Sequence, residues 1–296
     1  MAKIDLHVHS NHSADAEFPP AVLVEMAAAA KLETLAIADH NVATAVGEAI
    51  AAGKRCGVEI VSAIEIDCRF EEFFPHLLGY FINPEHPGYA LLWEDLAHQE
   101  KEASVERVRL AGKLGFRLDS DRVMAMSRDG MVTGELIARV AMDEPANRDN
   151  PVLAPYYPGG VRSDNPYVNF YWDYCSNGKP AYVEVRFPAL VDAVHLIRDS
   201  GGVPVIAHPG QVFGESFAIL RSLSKADVAG VEAYSSYHSA ETCRRWLEAG
   251  EALDMIVTCG SDFHGANKPS IRLGAHGGDA IEEEGLARLR HAAKNR

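Results

Sequence analysis

The chain has no apolar run approaching the ~20 residues that a membrane-spanning helix needs, so no span is predicted. Basic residues are scarce. Across 296 residues, 28 Lys and Arg face 42 Asp and Glu, giving 28 − 42 = −14. Binding to a long nucleic acid draws its affinity from cations laid along the phosphates, so that partner is not expected, although a local site could still hold one phosphate. The five cysteines, Cys56, Cys68, Cys175, Cys243 and Cys259, form no CxxC pair. Neither a disulfide framework nor a Cys-rich structural zinc site is expected. The opening MAKIDLHVHS lacks a signal-type apolar region, and the default location is the cytoplasm. Repeats and low-complexity tracts are also missing.

What is present is a composition that folds. With 47% hydrophobic residues the chain can bury a substantial core, and disorder is excluded. At ~150 residues per domain the length fits two domains or one large one. Short apolar or β-branched runs recur: KIDLHV, TLAIAD, VEIVSAI, HLLGYF, AYVEV, VPVIAH, GVEAYS and MIVTCG. Most precede an amphipathic stretch such as TAVGEAIAAGKR or ALVDAVHLIRDSGG, several of which stop at a Gly suited to a helix C-terminus. Strand–helix alternation predicts an α/β fold with a parallel sheet or barrel. Between about Pro87 and Pro180 the alternation gives way to a long charged helix, LLWEDLAHQEKEASVERVRLAGKLG, shorter helices and an aromatic Pro/Asn-rich loop. Residues 87–180 are therefore expected to be an inserted, mainly helical subdomain that caps the substrate, and residues 1–86 and 181–296 the barrel.

The chemistry concentrates at the ends of the predicted strands. In Asp5-Leu6-His7-Val8-His9, the period of two on a strand points His7 and His9 to one place, a geometry suited to a metal. Five further groups follow other runs: Asp39-His40, Glu65, His208, His238 and Asp262-Phe263-His264. In a βα barrel the functional groups lie where strands end and βα loops begin, so these would meet at one mouth. His76, His12 and Asp15 are weaker candidates on spacing alone. His86, His98, His195, His276 and His291 lie on predicted helices or loops without an acidic partner in phase and read as structural. Mixed His/carboxylate donors suit Zn, Mn or Fe better than Mg or Ca.

The ordered set DLHVHS, Ser13 and Asp15, AIADH, the IEI around Glu65, HLLGY, AHPG and GSDFHG resembles the PHP (polymerase and histidinol phosphatase) superfamily. The resemblance covers the barrel and not, to the same degree, the insertion. It implies a distorted (β/α)7 TIM-like barrel, two or three divalent metals at its C-terminal mouth, and phosphoester hydrolysis. Carried over residue by residue, it makes His7, His9, Glu65 and Asp262 ligands of a first metal, with Glu65 bridging to a second held by His76 and His208. His40 and His264 would hold a third, completed by Asp15 or His12. Asp39 is expected among the catalytic residues, supporting the site rather than binding metal.

Two metals sharing a carboxylate make hydroxide available at neutral pH and neutralise phosphoryl oxygens, so a bridging hydroxide is expected to attack phosphorus. His238, placed like a substrate-contacting His of related phosphoesterases, is the candidate acid for the leaving alcohol. Related nucleotide phosphatases clamp phosphate with an Arg-x-His pattern in the insertion. Residues 132–139 here read VTGELIAR and lack that pair, which argues against a bisphosphate or cyclic nucleotide. Arg162, Arg186 and Lys179 are the candidate replacements. The expected substrate is a small phosphorylated metabolite or mononucleotide. The alternatives are amide or lactone hydrolysis, and a non-catalytic PHP module. Against amide hydrolysis, no Lys follows a strand where a bridging carboxylated Lys would be needed.

Overall fold

The computed structural model of the protein describes residues 2–295. Seven strands form one sheet in sequence order: β1 (Ile4–Val8), β2 (Thr34–Ile37), β3 (Glu59–Asp67), β4 (His76–Tyr80), β5 (Val203–Ile206), β6 (Gly230–Ser235) and β7 (Ile256–Gly260). β1, β2, β5 and β7 are buried along their whole length, as strands covered on both faces are. The helices are α1 (Pro20–Ala29), α2 (Val46–Cys56), α3 (Pro87–Ala111), α4 (Ser120–Met126), α5 (Gly134–Asp143), α6 (Pro166–Phe170), α7 (Leu190–Asp199), α8 (Pro209–Phe213), α9 (Leu220–Lys225), α10 (Ala240–Glu251) and α11 (Glu282–Lys294). Gly57, at φ 74°, ends α2 in the left-handed conformation that the sequence assigns to it.

The sheet curls until its edges meet. His9 N–H donates to the Phe263 carbonyl at 3.0 Å and Asp262 N–H to the His7 carbonyl at 2.7 Å, while Val8 and Phe263 pair in parallel. Gly260 permits this closure, because a Cβ there would stand 2.2 Å from the His7 Cβ. Asp5 locks the same seam by accepting from the Ser261 amide at 2.9 Å and its hydroxyl at 2.6 Å. Within the sheet, Ile4, Leu6, Val61, Leu78, Val205 and Ile256 join one apolar cluster drawn from strands all round it, and Leu286 and Leu289 of α11 pack there too.

Two expectations need correction. The sheet is mixed: β4 is antiparallel to both β3 and β5. The segment between β3 and β4 spans only residues 68–75, too short for a helical crossover, so the chain must turn back. This reversal brings the start of β4, His76, to the same mouth as the ends of the other strands. AYVEV is not a strand; residues 182–188 form an extended segment outside the sheet, and Val185 packs on Leu96 and Ala103 of α3.

α3 through α6 carry an apolar cluster of their own, including Val108, Phe116, Val123, Ile137, Tyr156 and Phe170. The aromatic loop is ordered within it, with the Phe170 ring 5.6 Å from Tyr156 and 4.9 Å from Tyr174. Arg128 and Asn165 join this region to the barrel, through the Ser13 carbonyl at 2.8 Å and the Ser270 hydroxyl at 2.8 Å.

Candidate metal centre

The strand ends bring His7, His9, His40, Glu65, His76, His208, Asp262 and His264 together. Ligating atoms of His7, His9, Glu65 and Asp262 lie within 4.8 Å of one another, and so do those of Glu65, His76 and His208, and those of His9, His40 and His264. His9 Nε2 stands 3.1 Å from Glu65 and 3.0 Å from Asp262. Glu65 Oε1 lies 3.1 Å from both His76 and His208. Asp15 lies 3.2 Å from His264 Nε2 and 3.9 Å from His40 Nε2. His12 stays outside, bound through Nδ1 to the Thr44 hydroxyl at 2.6 Å, so of the two alternatives only Asp15 joins the cluster.

The histidines are oriented from behind. His7 Nδ1 lies 3.0 Å from Glu232 Oε1. His9 Nδ1 lies 3.1 Å from the Ser13 hydroxyl, which donates to Asp39 and therefore accepts from the ring. Both Nδ1 atoms thus carry protons, and the two Nε2 atoms, which face the centre, stand only 3.1 Å apart. In the metal-free protein a proton on His7 Nε2 bridges the pair, and a metal ion would take its place. His264 Nδ1 donates to the Asp262 carbonyl at 2.8 Å, which likewise frees its Nε2.

The orphaned atoms lie in the same place. Glu65 Oε2, Asp67 Oδ1, Asp262 Oδ1, His40 Nδ1 and His264 Nε2 are buried without a hydrogen-bond partner. Buried polar atoms are nearly always satisfied, so a set of them facing one another fits bound metal. Asp262 has its other oxygen engaged: Oδ2 accepts from Tyr237 at 2.6 Å and Lys268 at 2.7 Å. His208 and Asp262 sit at φ 22° and 56°, left-handed conformations that non-glycine residues adopt at a cost.

Burial alone would raise the Glu65 carboxyl, but His7, His76 and His40 hold it well below the usual range. Desolvation lowers His7 and His40, yet the carboxylates around them prevail and keep both imidazoliums well above their ordinary value. His264 is pushed down to about 4 by burial, then by Lys268 and His9. It is therefore neutral at pH 7.

Four of the candidate catalytic and substrate residues have their partners defined by the fold. His238 donates from Nδ1 to the Ala233 carbonyl at 2.9 Å, and its Nε2 accepts from Gly210 N–H at 3.0 Å. Both ring nitrogens engage backbone groups, and burial lowers its basicity, so His238 braces the segment after His208. The Asp39 oxygens accept from the Ser10 amide at 2.8 Å, the Ser10 hydroxyl at 2.6 Å and the Ser13 hydroxyl at 2.7 Å, which ties Asp39 to His9 through Ser13. Arg162 is paired bidentately with Asp173, at 3.0 and 2.9 Å, and lines the cavity beside Tyr237. Arg186 is exposed and held through its backbone to Gln99 of α3 at 3.0 Å, away from the cluster.

Sequence reasoning missed Asp67, which lies 3.3 Å from both His40 and His76. It also missed Glu232, Tyr237 and Lys268. Asp67 stands two residues after Glu65 on the same strand, a spacing that could have revealed it; the other three reach the centre only through the fold. A cavity of about 490 Å³ opens beside Tyr237, walled by Trp172, Gln211, Ser270 and Arg272.

The PHP domain family model matches residues 5–135. A 3′,5′-nucleoside bisphosphate phosphatase of Chromobacterium violaceum is 28% identical over 89% of this chain and 88% of its own length. A 5′-3′ exoribonuclease of Haemophilus influenzae is 28% identical over 88% of this chain and 90% of its own. A solved structure from Chromobacterium violaceum, described as an amidohydrolase with bound sulfate and no metal, superposes with a TM-score of 0.77 at 26% identity, covering 97% of both chains. These likenesses converge on one mouth of histidines and carboxylates, to which the PHP-domain match over residues 5–135 contributes His7, His9, Asp15, His40, Glu65 and His76.

Proposed function

We propose that the protein is a metal-dependent phosphoesterase that hydrolyses a small phosphorylated metabolite or nucleotide, with a phosphomonoester favoured. The observation that carries this reading is the pair of His7 and His9 Nε2 atoms 3.1 Å apart, surrounded by orphaned carboxylate oxygens. His7, His9, Glu65 and Asp262 would hold one divalent ion, Glu65, His76 and His208 a second, and Asp15, His40 and His264 a third; Asp67 could serve either of the last two. Bound there, Mn, Zn or Fe would acidify a coordinated water and neutralise phosphoryl oxygens.

The chain's own residues define what surrounds that chemistry. Glu232 and the Asp39–Ser13 pair hold His7 and His9 in the tautomers that face the centre. Tyr237 and Lys268 restrict Asp262 to one free oxygen. Lys268, almost fully buried, brings a fixed cation towards the place where charge develops on a leaving oxygen. The cavity beside Tyr237 gives the leaving group room.

Amide hydrolysis is less well supported. Glu65 stands between the histidine groups where a carboxylated Lys would be needed, and Lys268 is bound to Asp262 instead. Attack on an RNA 5′ end is the second reading, favoured by the relative named as an exoribonuclease; the charge of −14 argues against extended contact with a polyanion. The test is turnover by the metal-loaded protein on phosphomonoesters, phosphodiesters, short RNA and amides, with chelator as control. No chelator-sensitive release of phosphate from any phosphoester would overturn the proposal.

A further inference from the structure

An imidazole has two ring nitrogens, and His40 and His76 divide theirs between the centre and Asp67. His76 turns Nδ1 to Glu65 Oε1 at 3.1 Å, the oxygen that His208 Nε2 also approaches at 3.1 Å, and turns Nε2 to Asp67 Oδ1 at 3.3 Å. His40 turns Nε2 towards Asp15 at 3.9 Å, the carboxylate that meets His264 Nε2 at 3.2 Å. Its Nδ1 lies 3.3 Å from Asp67 Oδ1 and 3.3 Å from Glu65 Oε2. One carboxylate oxygen thus faces the rear nitrogen of a histidine from each of two ion positions.

Asp67 is held in this place by the residue that follows His40. Asn41 Nδ2 donates to Asp67 Oδ2 at 2.8 Å, and Asn41 Oδ1 accepts from the Asp67 amide at 2.9 Å. Asn41 sits at φ 59°, a left-handed conformation that Asn tolerates better than most residues. With Oδ2 engaged, Oδ1 is left pointing at the two rings, and neither it nor His40 Nδ1 has another hydrogen-bond partner. Both 3.3 Å contacts stand just beyond the ~3.2 Å limit of an ordinary N–H···O bond, so a small ring rotation completes them. A carboxylate oxygen has two lone pairs and can accept from both rings.

We propose that Asp67 is a positioning residue that fixes the tautomers of His40 and His76 together and so couples occupancy of the second and third ion positions. A neutral imidazole carries one proton and one lone pair. A proton held against Asp67 leaves the lone pair on Nε2 of His40 and on Nδ1 of His76, where the two positions need it. An ion seated on Asp67 Oδ1 itself would claim those same lone pairs, so Asp67 serves both positions from behind. The first position is oriented differently, by Glu232 behind His7 and Ser13 behind His9, and is independent of Asp67.

The coupling rests on the reading of the mouth as a metal centre, and the experiment separates the two. Zinc is titrated into the metal-free parent, Asp67→Asn and Glu72→Gln in competition with a chromophoric chelator, Glu72 being an exposed carboxylate between β3 and β4. Asparagine keeps the shape but turns either its NH2 to the rings or the same group to Asn41 Nδ2. In this variant the second and third ions should weaken together, by roughly 10–100-fold, while the first stays within about twofold of the parent and Glu72→Gln changes nothing. Weakening of one ion alone, of all three equally, or of none would overturn the coupling. Histidine 15N spectra of the zinc-loaded parent need no variant: His40 should carry its proton on Nδ1 and His76 on Nε2, and the opposite tautomer in either ring refutes the assignment. A parent that takes up fewer than three zinc ions overturns the reading of the centre itself, whereas three ions bound with any of the other adverse results overturn the coupling alone.

Discussion

Glu232→Gln tests whether the histidines are oriented from behind. Glu232 is fully buried on β6; Oε1 accepts from His7 Nδ1 at 3.0 Å and Oε2 from His208 N–H at 2.8 Å. Glutamine keeps the shape but offers one acceptor where two donors converge. If its oxygen faces His7, its NH2 opposes the His208 amide; if it flips, the NH2 opposes His7 Nδ1–H and drives that proton onto Nε2, where the lone pair is needed. Exchanging a charged hydrogen bond for a neutral one costs about 1 kcal/mol, and a buried unsatisfied donor about 1–3 kcal/mol more. The variant should thus lose about 2–4 kcal/mol of stability, and roughly 10–100-fold in metal affinity, as partners behind metal-bound histidines do. Competition with a chromophoric chelator measures the affinity, and urea unfolding of the metal-free protein measures the stability. A folded variant with metal affinity within about twofold of the parent would refute the argument, since small effects of that size lie below those expected of such partners.

Three further outcomes follow from the same geometry. His238→Asn should turn over substrates with good and poor leaving groups in the parent's ratio while losing about 1–3 kcal/mol of stability, because Gly210 N–H loses its acceptor; a selective loss on poor leaving groups would restore the acid role. In the metal-free protein, the raised pKa values of His7 and His40 contribute stability that is complete below the unfolded value of ~6.5 and lost as pH rises through the folded values. Metal must displace those protons, so affinity should climb with pH; a flat profile in isothermal titrations between about pH 6 and 9 would contradict this. Glu135 is pushed up to about 7 from 4.5 by burial and then by Asp15, so it costs the fold stability once pH exceeds its unfolded value. Glu135→Gln should stabilise the metal-free protein at about pH 8, by up to roughly 3 kcal/mol, and not at about pH 4, as read by urea unfolding; an equal increment at both would refute it.

The ligand types were legible because strand periodicity and strand ends are local properties. His7 and His9 share a face by the period of two, and Asp262-Phe263-His264 follows a run that ends a strand in any arrangement of the sheet. The reversal at β4 was less legible, since HLLGYF reads the same in either direction; only the short connection from residue 68 to 75 betrays it. AYVEV has strand composition yet finds no partner, its apolar residues being covered by α3 instead. His238 illustrates the opposite failure. Its position after GVEAYS is right for chemistry, but its role depends on where the Ala233 carbonyl and the Gly210 amide lie.

The sequence by itself determined that the chain is acidic, core-forming and built around a histidine–carboxylate set at strand ends, because residue type and short-range period suffice for that. Only the tertiary structure decided which atoms face the centre and which are consumed elsewhere. Glu232 and Lys268 enter from a distant strand and loop, while Arg162 reaches the cavity wall paired with Asp173. His40 and His76, unremarkable as a pair along the chain, meet at Asp67. A side chain's chemistry is set by its nearest partners, and those partners are supplied by packing between segments remote in sequence.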